Sequence, residues 1–262
     1  MDRIEILNGY YAIKNEDERL TSKIGSVEFL TTIKYIEKYL QKGMKILEIG
    51  AGTGRYSHRL AKQGYDVDAI ELTDHNIEIF KSHITKDEKI SIIKGDAVDL
   101  SRLESDKYDI TLLLGPMYHL YTEKDQISAL SEAIRVTKKG GIVFVAYTVS
   151  DSTILQHGFI KGKIKSLIEE GLLNTDDFKP HSEPKEVFEL YRKEEIDALM
   201  SKFNVTRLHY VGTDMASYYM RDTINNMDDE TFDLYLKYHL AICERQDMMG
   251  YSHHTLDIFR KE

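Results

Sequence analysis

The chain has 262 residues, of which 42% are hydrophobic, and its 44 acidic residues outnumber 35 basic ones, for a formal net charge of −9. This length suits one large α/β domain, and the hydrophobic content supports a proper core. The acidic balance argues against a nucleic-acid groove, which needs clustered Lys and Arg, and favours a small-molecule partner.

Helices and short apolar strands alternate over the first 150 residues. Apolar residues at helical spacing predict an amphipathic helix over 24–40. Further helices are predicted to begin near Thr73 and at Thr122, and the basic and glycine residues at 138–141 are expected to close the latter. The nearly continuous apolar run 142–147 is typical of a central parallel strand. Four earlier strands are predicted at 45–48, 66–71, 90–94 and 108–114.

Beyond residue 150 the regular alternation is interrupted by added helical segments. A helical pattern over 151–173 precedes a turn-rich loop, and a long helix is predicted within 222–247. A sixth strand is predicted at 205–211, and the apolar–polar alternation of 254–260 suits a half-exposed final strand. We therefore predict one domain over 1–262, divided into an N-terminal gate segment at 1–23, a cofactor-binding core at 24–150 and helical cap insertions at 151–193 and 213–250.

The stretch from Lys45 to Gly54 carries the most specific functional signal. A short apolar strand that ends in the acid Glu48 is followed by three alternating glycines before a helical pattern resumes. This arrangement of strand, tight loop and helix is one in which a nucleoside ligand lies at the carboxyl end of the strand. Glycines allow φ > 0 and keep a Cβ away from the ligand. The dinucleotide fingerprint would need its third glycine at Arg55 rather than Gly54, and Glu48 suits an ammonium group better than a pyrophosphate.

These residues resemble the first motif of the class I S-adenosylmethionine-dependent methyltransferases, E/D-x-G-x-G-x-G. Glu71 ends the second strand about 20 residues after the loop, the offset expected of a carboxylate that accepts ribose hydroxyls. The resemblance implies that Asp96 contacts the adenine amino group, although Glu71 taken alone could be a solvated strand terminus and Asp96 a turn residue. The cofactor site that it implies comprises Glu48, Gly50, Ala51, Gly52, Gly54, Glu71, Leu72, Asp96, Ala97, Leu114, Gly115 and Tyr11.

The resemblance also implies the fold and the cofactor. The fold expected is α/β, with a doubly wound, mostly parallel sheet of seven strands, the last strand antiparallel beside the fifth, helices on both faces and inserted helical caps. The cofactor expected is S-adenosylmethionine, with S-adenosylhomocysteine as the product.

Tyr118 and His119 are the candidate catalytic residues, because residues after the fourth strand lie nearest the transferred methyl group in the resembled family. His119 could act as a general base with a pKa near the working pH, or it could simply pack and bond a backbone carbonyl. Tyr118 is expected to line the pocket. Tyr10 and Tyr11 could fold over the sulfonium as an aromatic gate, or serve as a surface anchor.

Several other functions are disfavoured by the sequence. No metal motif is found, since the ten His are scattered, and the single Cys243 excludes an intramolecular disulfide. Met1 to Leu20 is polar and no apolar run reaches about 20 residues, so a cytoplasmic location without membrane association is expected. The sequence after Gly115 departs from the Asn/Asp-Pro-Pro-Tyr/Phe pattern of enzymes that methylate base amino groups, and no nucleic-acid partner is expected.

The predicted function is methyl transfer to a small-molecule oxygen, nitrogen or carbon acceptor. Methylation of RNA or protein, nicotinamide-dependent oxidoreduction and cofactor binding without catalysis remain alternatives, although the glycine spacing disfavours the oxidoreductase. The aromatic residues of the caps would suit either a partly hydrophobic acceptor or a contact in a homo-oligomer, and both readings stay open: Phe159, Tyr218, Tyr219, Tyr235 and Tyr238.

Overall fold

A computed structural model describes residues 2–14 and 21–262. Residues 1 and 15–20 of the predicted gate segment lie outside the described residues. The centre of the fold is a seven-stranded sheet in the order β3-β2-β1-β4-β5-β7-β6. Its strands are β1 Lys45–Ile49, β2 Asp66–Glu71, β3 Ile90–Lys94, β4 Tyr108–Leu113, β5 Thr137–Thr148, β6 Val205–Gly212 and β7 His254–Lys261.

Helices precede, connect and follow these strands. The α-helices are α1 Arg3–Ile13, α2 Lys23–Glu37, α3 Arg55–Lys62, α4 Asp74–His83, α5 Glu123–Val136, α6 Ser150–Thr153, α7 Ile164–Glu169, α8 Lys193–Met200, α9 Arg221–Asn225 and α10 Asp229–Ile242. A π-helical segment at Ile154–Ile160 continues α6. Shorter 3₁₀ turns occur at Pro116–His119, Pro184–Glu186, Met215–Met220 and Gln246–Tyr251.

The directions of the strands place the carboxyl ends of β1 to β5 at one edge of the sheet. The pairs among β1 to β5 are parallel, whereas β7 is antiparallel to both β5 and β6. The carboxyl ends of β1 to β5 therefore meet at the same edge as the beginning of β7. The strand order reverses at β1, which lies between β2 and β4, and ligands of doubly wound sheets bind at such a switch point.

Each face of the sheet packs against its own layer of helices, because successive side chains of a strand point to opposite sides. Leu47 and Val143 belong to the cluster that packs on α5 and α8. Their neighbours Ile46 and Phe144 belong to the cluster that packs on α2 and α3. The predicted doubly wound, seven-stranded fold with an antiparallel last strand is confirmed.

Two local predictions are wrong. The final strand is not half-exposed: residues 254–259 are buried, because β7 lies between β5 and β6 and is covered on both faces. Its polar Asp257 is fully buried and accepts hydrogen bonds from Nε and Nη2 of Arg207 at 2.8 Å each. The glycine pair at 140–141 does not close α5, which ends at Val136; it lies inside β5.

The cap regions are helical only in part. The first contains α6, α7 and the π-helical segment, followed by irregular chain from 170 to 183, and the second contains α9 and α10. Phe159 and Tyr238 are exposed, whereas Tyr218 lines the cavity described below. Across 2–14 and 21–262, no helix has both the length and the apolar character needed to cross a membrane.

Candidate active site

A cavity of about 320 Å³ lies at the sheet edge where the carboxyl ends of β1 to β5 meet. Its volume falls within the range of roughly 300–1,000 Å³ typical of small-molecule sites. One half is formed by residues after β1, β2 and β3, and the other by residues after β4 and β5 and at the start of β7. We call these the cofactor half and the acceptor half.

The glycine loop after β1 forms the floor of the cofactor half, and its three glycines differ in purpose. Gly50 has φ +73°, and a Cβ there would lie 2.5 Å from Cδ of Pro116. Gly54 does not line the cavity; a Cβ there would lie 2.4 Å from the ring of Phe80. Gly52 lines the cavity with φ +56°, and a Cβ there would meet no atom within 4 Å. Two of the glycines are thus required by packing, and Gly52 borders open space.

Glu71 joins the end of β2 to this loop. Its Oε2 accepts the backbone N–H of Gly52 at 2.8 Å, while Oε1 accepts the N–H and hydroxyl of Thr73 at 2.9 and 2.8 Å. Asn76 adds a longer bond of 3.3 Å to Oε1. A carboxylate offers about four lone-pair sites over two oxygens. Since Oε2 receives one of these bonds and Glu71 lines the cavity, that oxygen keeps acceptor capacity for a ligand hydroxyl.

Glu48 is buried at the end of β1 and also lines the cavity. Its Oε2 accepts the backbone N–H of Ser57 at 2.9 Å and the hydroxyl of the same residue. Burial raises the pKa of Glu48 to about 8, against the opposing effect of the bonds from Ser57, and the nearby charge of Glu71 raises it further. The carboxyl is therefore mostly protonated at pH 7, and a cation placed beside it would favour its ionised form.

Helix α1 lines the cavity with a single face. Arg3, Leu7, Tyr10 and Tyr11 recur at helical spacing and all line the cavity. The guanidinium of Arg3 forms an ion pair with Asp96, the predicted adenine contact, which also lines the cavity. The gate stays a prediction, for which the sequence indicated Tyr10 and Tyr11 but not Arg3.

His119 is held by protein on both ring nitrogens. Nδ1 lies 2.7 Å from the carbonyl oxygen of Val187, so it carries the proton, and Nε2 lies 2.9 Å from the hydroxyl of Tyr11, which donates to it. Burial lowers the pKa of His119 to about 4. The expectation of a pKa near the working pH is therefore wrong, and the geometry favours a positioning role for His119 toward Tyr11. Tyr118 is buried and lines the cavity, as predicted.

The other predicted cofactor residues are brought together as expected. They line the cavity after the ends of β1 to β4: Ala51, Leu72, Ala97, Leu114 and Gly115.

Sequence reasoning missed most of the acceptor half. Thr148 ends β5, His254 begins β7, and Phe188 and Leu190 come from the irregular part of the first cap. The only sequence signal available was position, because Thr148 and His254 lie at predicted strand ends. Although no metal site was expected, single ligand atoms of Glu28, Asp214 and His254 lie within 4.8 Å of one another, close enough to hold a metal ion together.

A glycine loop, two buried carboxylates and a cavity at the switch point define a nucleoside-binding α/β protein. A family model described as a methyltransferase domain matches residues 46–141. Among curated relatives, the glycine/sarcosine N-methyltransferase of Aphanothece halophytica is 28% identical over 128 residues, which are 48% of this chain and 48% of the relative. The ubiquinone biosynthesis O-methyltransferase of Pelagibacter ubique is 26% identical over 152 residues, 58% of this chain and 61% of the relative.

The likeness to solved structures extends over the whole chain. An S-adenosylmethionine-dependent methyltransferase from Thermotoga maritima shares the fold with a TM-score of 0.59 at 17% identity, with 100% of both chains covered. In sequence, the chain spans about half the length of the first curated relatives it matches. Residues 46–141 therefore match a methyltransferase domain, and the chain as a whole has the fold of S-adenosylmethionine-dependent methyltransferases.

The residues of the cofactor half fit the cofactor of this family. Asn76 is 2% exposed and lines the cavity, and its Oδ1 has no hydrogen-bond partner within the described ranges. A buried amide oxygen without a partner is costly, so a donor supplied by a ligand would stabilise it. Together with the open space at Gly52 and the remaining capacity of Glu71 Oε2, this suits a ligand that carries hydroxyl and amino groups.

Proposed function

We propose that the protein transfers a methyl group from S-adenosylmethionine to a small-molecule acceptor. The observation that carries the proposal is the continuity of the cavity, which joins the glycine loop and Glu71 to a second half lined by aromatic and hydroxyl side chains. A protein that only stored the cofactor would need the first half alone.

The chain's own contribution is binding, orientation and exclusion of water. S-adenosylmethionine, when bound, supplies a methyl group already activated on a sulfonium. Glu71 and Asn76 would hold hydroxyl and amino groups, and Glu48 would face the ammonium. Helix α1 would cover the ligand through the face that carries Tyr10 and Tyr11. Correct positioning of two reactants can lower a barrier by about 7–11 kcal/mol, so little further covalent assistance is needed.

The relatives support a small acceptor. One is named for glycine and sarcosine and another for ubiquinone biosynthesis. The cavity, at about 320 Å³, also favours a small molecule over a macromolecule.

Calorimetry with S-adenosylhomocysteine tests the cofactor half directly. We expect binding to the wild type, and we expect Glu71→Ala to weaken it about 10- to 100-fold, the effect of losing hydrogen bonds to a charged group worth about 1.5–3 kcal/mol. The matched control is Glu78→Ala on the exposed side of α4, which should leave the dissociation constant unchanged.

Two results would contradict the proposal. One is the absence of S-adenosylhomocysteine binding at millimolar ligand. The other is fluorescence-detected binding of NADH in its place, which would favour the oxidoreductase alternative.

A further inference from the structure

The first cap contains a corner at which two short helical segments meet. The π-helical segment Ile154–Ile160 is followed by α7 after a short turn that contains Gly162 with φ +69°. A Cβ at Gly158 would lie 3.1 Å from Cδ1 of Ile164, so the absence of a side chain lets the first turn of α7 pack against the π-helical segment. This contact fixes the shape of the chain at residues 155–168, which we call the cap corner.

The cap corner exposes apolar side chains. Ile160 is 68% exposed and Phe159 is 54% exposed, on the last two residues before the turn. Leu155 and Ile168, on the two helical segments that flank the turn, are 39% and 37% exposed. Single exposed apolar side chains are common on protein surfaces, but four of them at one corner indicate a contact surface.

Basic side chains surround the same corner. Lys161, Lys163 and Lys165 are exposed, and no ion pair joins them to an acid within residues 2–14 and 21–262. The chain has no acidic residue from 152 to 168, so this stretch carries three positive charges in a protein of net charge −9. Burial lowers the pKa of His157, and the nearby charges of Lys161 and Lys163 lower it further. The cap corner is therefore a local basic patch that also carries apolar side chains.

The acids nearest to the cap corner do not cancel this charge. Asp151 precedes it and lies 3.7 Å from Nε of Arg192, with which it forms an ion pair. Glu169 ends α7 and is farther from the turn along the chain than any of the three lysines. Charges beyond about 8 Å are largely screened at physiological ionic strength, so the net charge of the whole chain has little influence at this surface.

Apolar and basic side chains together favour one kind of partner. At the surface of an anionic bilayer, apolar side chains enter between the headgroups while the ammonium groups of lysines stay at the level of the phosphates. Nucleic acid would attract the lysines but offers no apolar interior for Ile160 or Leu155. An apolar groove on another protein would accept these two side chains but would leave the lysines without anions.

We propose that the cap corner docks onto an anionic lipid bilayer, with Phe159 and Ile160 among the headgroups and the three lysines on lipid phosphates. This inference goes beyond the proposed methyl transfer and does not depend on it. The expectation of no membrane association rested on the lack of a long apolar run, and docking at a surface needs no such run. Thr153 lines the cavity and precedes Ile160 by on the order of 10 Å of helix, so docking would hold the acceptor half close to the bilayer.

Co-sedimentation of the full chain with lipid vesicles tests this proposal. The probes are vesicles of phosphatidylcholine mixed with phosphatidylglycerol, and vesicles of phosphatidylcholine alone. Each lysine near an anionic surface strengthens binding about fivefold, which corresponds to about 1 kcal/mol. We therefore expect the protein to bind the mixed vesicles about 100-fold more tightly than the neutral ones, and we expect added salt to weaken this binding.

A charge variant tests the part played by the lysines. Replacement of all three, as Lys161→Gln, Lys163→Gln and Lys165→Gln, should weaken binding to the mixed vesicles about 100-fold. The matched control removes the same number of charges from exposed lysines elsewhere and should bind as the wild type does. Its substitutions are Lys42→Gln, Lys86→Gln and Lys124→Gln.

An apolar variant tests insertion between the headgroups. Phe159→Ser combined with Ile160→Ser should weaken binding about 10-fold or more and should remove the binding that persists at high salt. The matched control is Leu234→Ser combined with Tyr238→Ser, because these side chains are 60% and 57% exposed on α10 in the second cap. None of the substituted residues lines the cavity, so circular dichroism and S-adenosylhomocysteine affinity should be unchanged in every variant.

Four outcomes would overturn the proposal. The first is no binding to the mixed vesicles, and the second is equal binding by the wild type and both cap-corner variants. The third is a dimer, detected by light scattering, that dissociates in the apolar variant, which would assign the surface to a second copy of the chain. The fourth is tighter binding of single-stranded RNA than of vesicles, lost only in the charge variant. Failure of S-adenosylhomocysteine to bind would instead contradict the proposed function and leave the docking surface in place.

Discussion

Glu48 allows a quantitative prediction about how cofactor affinity depends on pH. With a pKa of about 8, roughly one carboxyl in eleven is ionised at pH 7, so binding that requires the charged form is weakened by about 1.4 kcal/mol. A ligand ammonium lowers the pKa of Glu48 in the complex, and binding must then release a proton. Affinity should therefore rise with pH and level off above pH 8, with a gain of about tenfold between pH 7 and pH 9.

The measurement is calorimetry with S-adenosylhomocysteine from pH 6 to pH 9, in buffers of different ionisation enthalpy so that released protons are counted. Glu48→Gln is the matched variant, because it keeps the acceptor oxygen for Ser57 but cannot ionise. Titration of the ligand's own amino group affects wild type and variant equally. The difference in the pH dependence of affinity between the two proteins therefore reports the ionisation of the Glu48 carboxyl.

The raised pKa of Glu48 also affects the stability of the fold. Cofactor affinity should rise with pH, whereas the contribution of Glu48 to stability should fall with pH. The folded-state pKa of about 8 lies above the ordinary 4.5, so the native state binds the proton more tightly than the unfolded chain. Glu48 therefore destabilises the wild type progressively as the pH rises from about 4.5 to 8, relative to Glu48→Gln. Equal pH dependence of affinity in the two proteins, together with no proton release, would refute this account of Glu48.

Two further predictions concern packing around the site. Gly50→Ala should lower the free energy of unfolding by about 1–3 kcal/mol more than Gly64→Ala does. Both glycines have positive φ, but only at Gly50 would the new Cβ collide with Pro116. Equal losses of melting temperature in the two variants would argue against the collision. Tyr11→Phe should remove the hydrogen bond that the Tyr11 hydroxyl donates to Nε2 of the buried His119. The free energy of unfolding in urea should fall by about 1–3 kcal/mol. An unchanged urea midpoint would mean that this bond does not hold α1 on the cavity.

Much of the fold was predictable because its signals are local. Apolar runs predicted β2 and β3 at their observed bounds and β1 to within one residue of its end, and the alternating glycines predicted the loop that follows β1. Burial of β7 was not predictable in this way. Its alternation of apolar and polar residues resembles a surface strand, and only the pairing of Asp257 with Arg207, 50 residues earlier, makes the polar side chain acceptable in the interior.

The cofactor half followed from spacing along the chain, since its residues come directly after consecutive parallel strands. The role of His119 did not follow, because it depends on the hydroxyl of Tyr11, 108 residues away, and on burial that lowers its pKa. The sequence correctly pointed to Tyr118 and His119 as residues near the cavity. It could not determine what each nitrogen of the imidazole would bond.

The sequence by itself determined a doubly wound sheet with a glycine loop and two acids at strand ends, because short-range periodicity and turn chemistry encode these features. Only the tertiary structure decided what lies in the acceptor half. Asp214 and His254 are 40 residues apart, and the antiparallel entry of β7 between β5 and β6 brings them to the same edge as Thr148. Contacts of this kind depend on which strands pair and in which direction, and no local pattern of residue types specifies that.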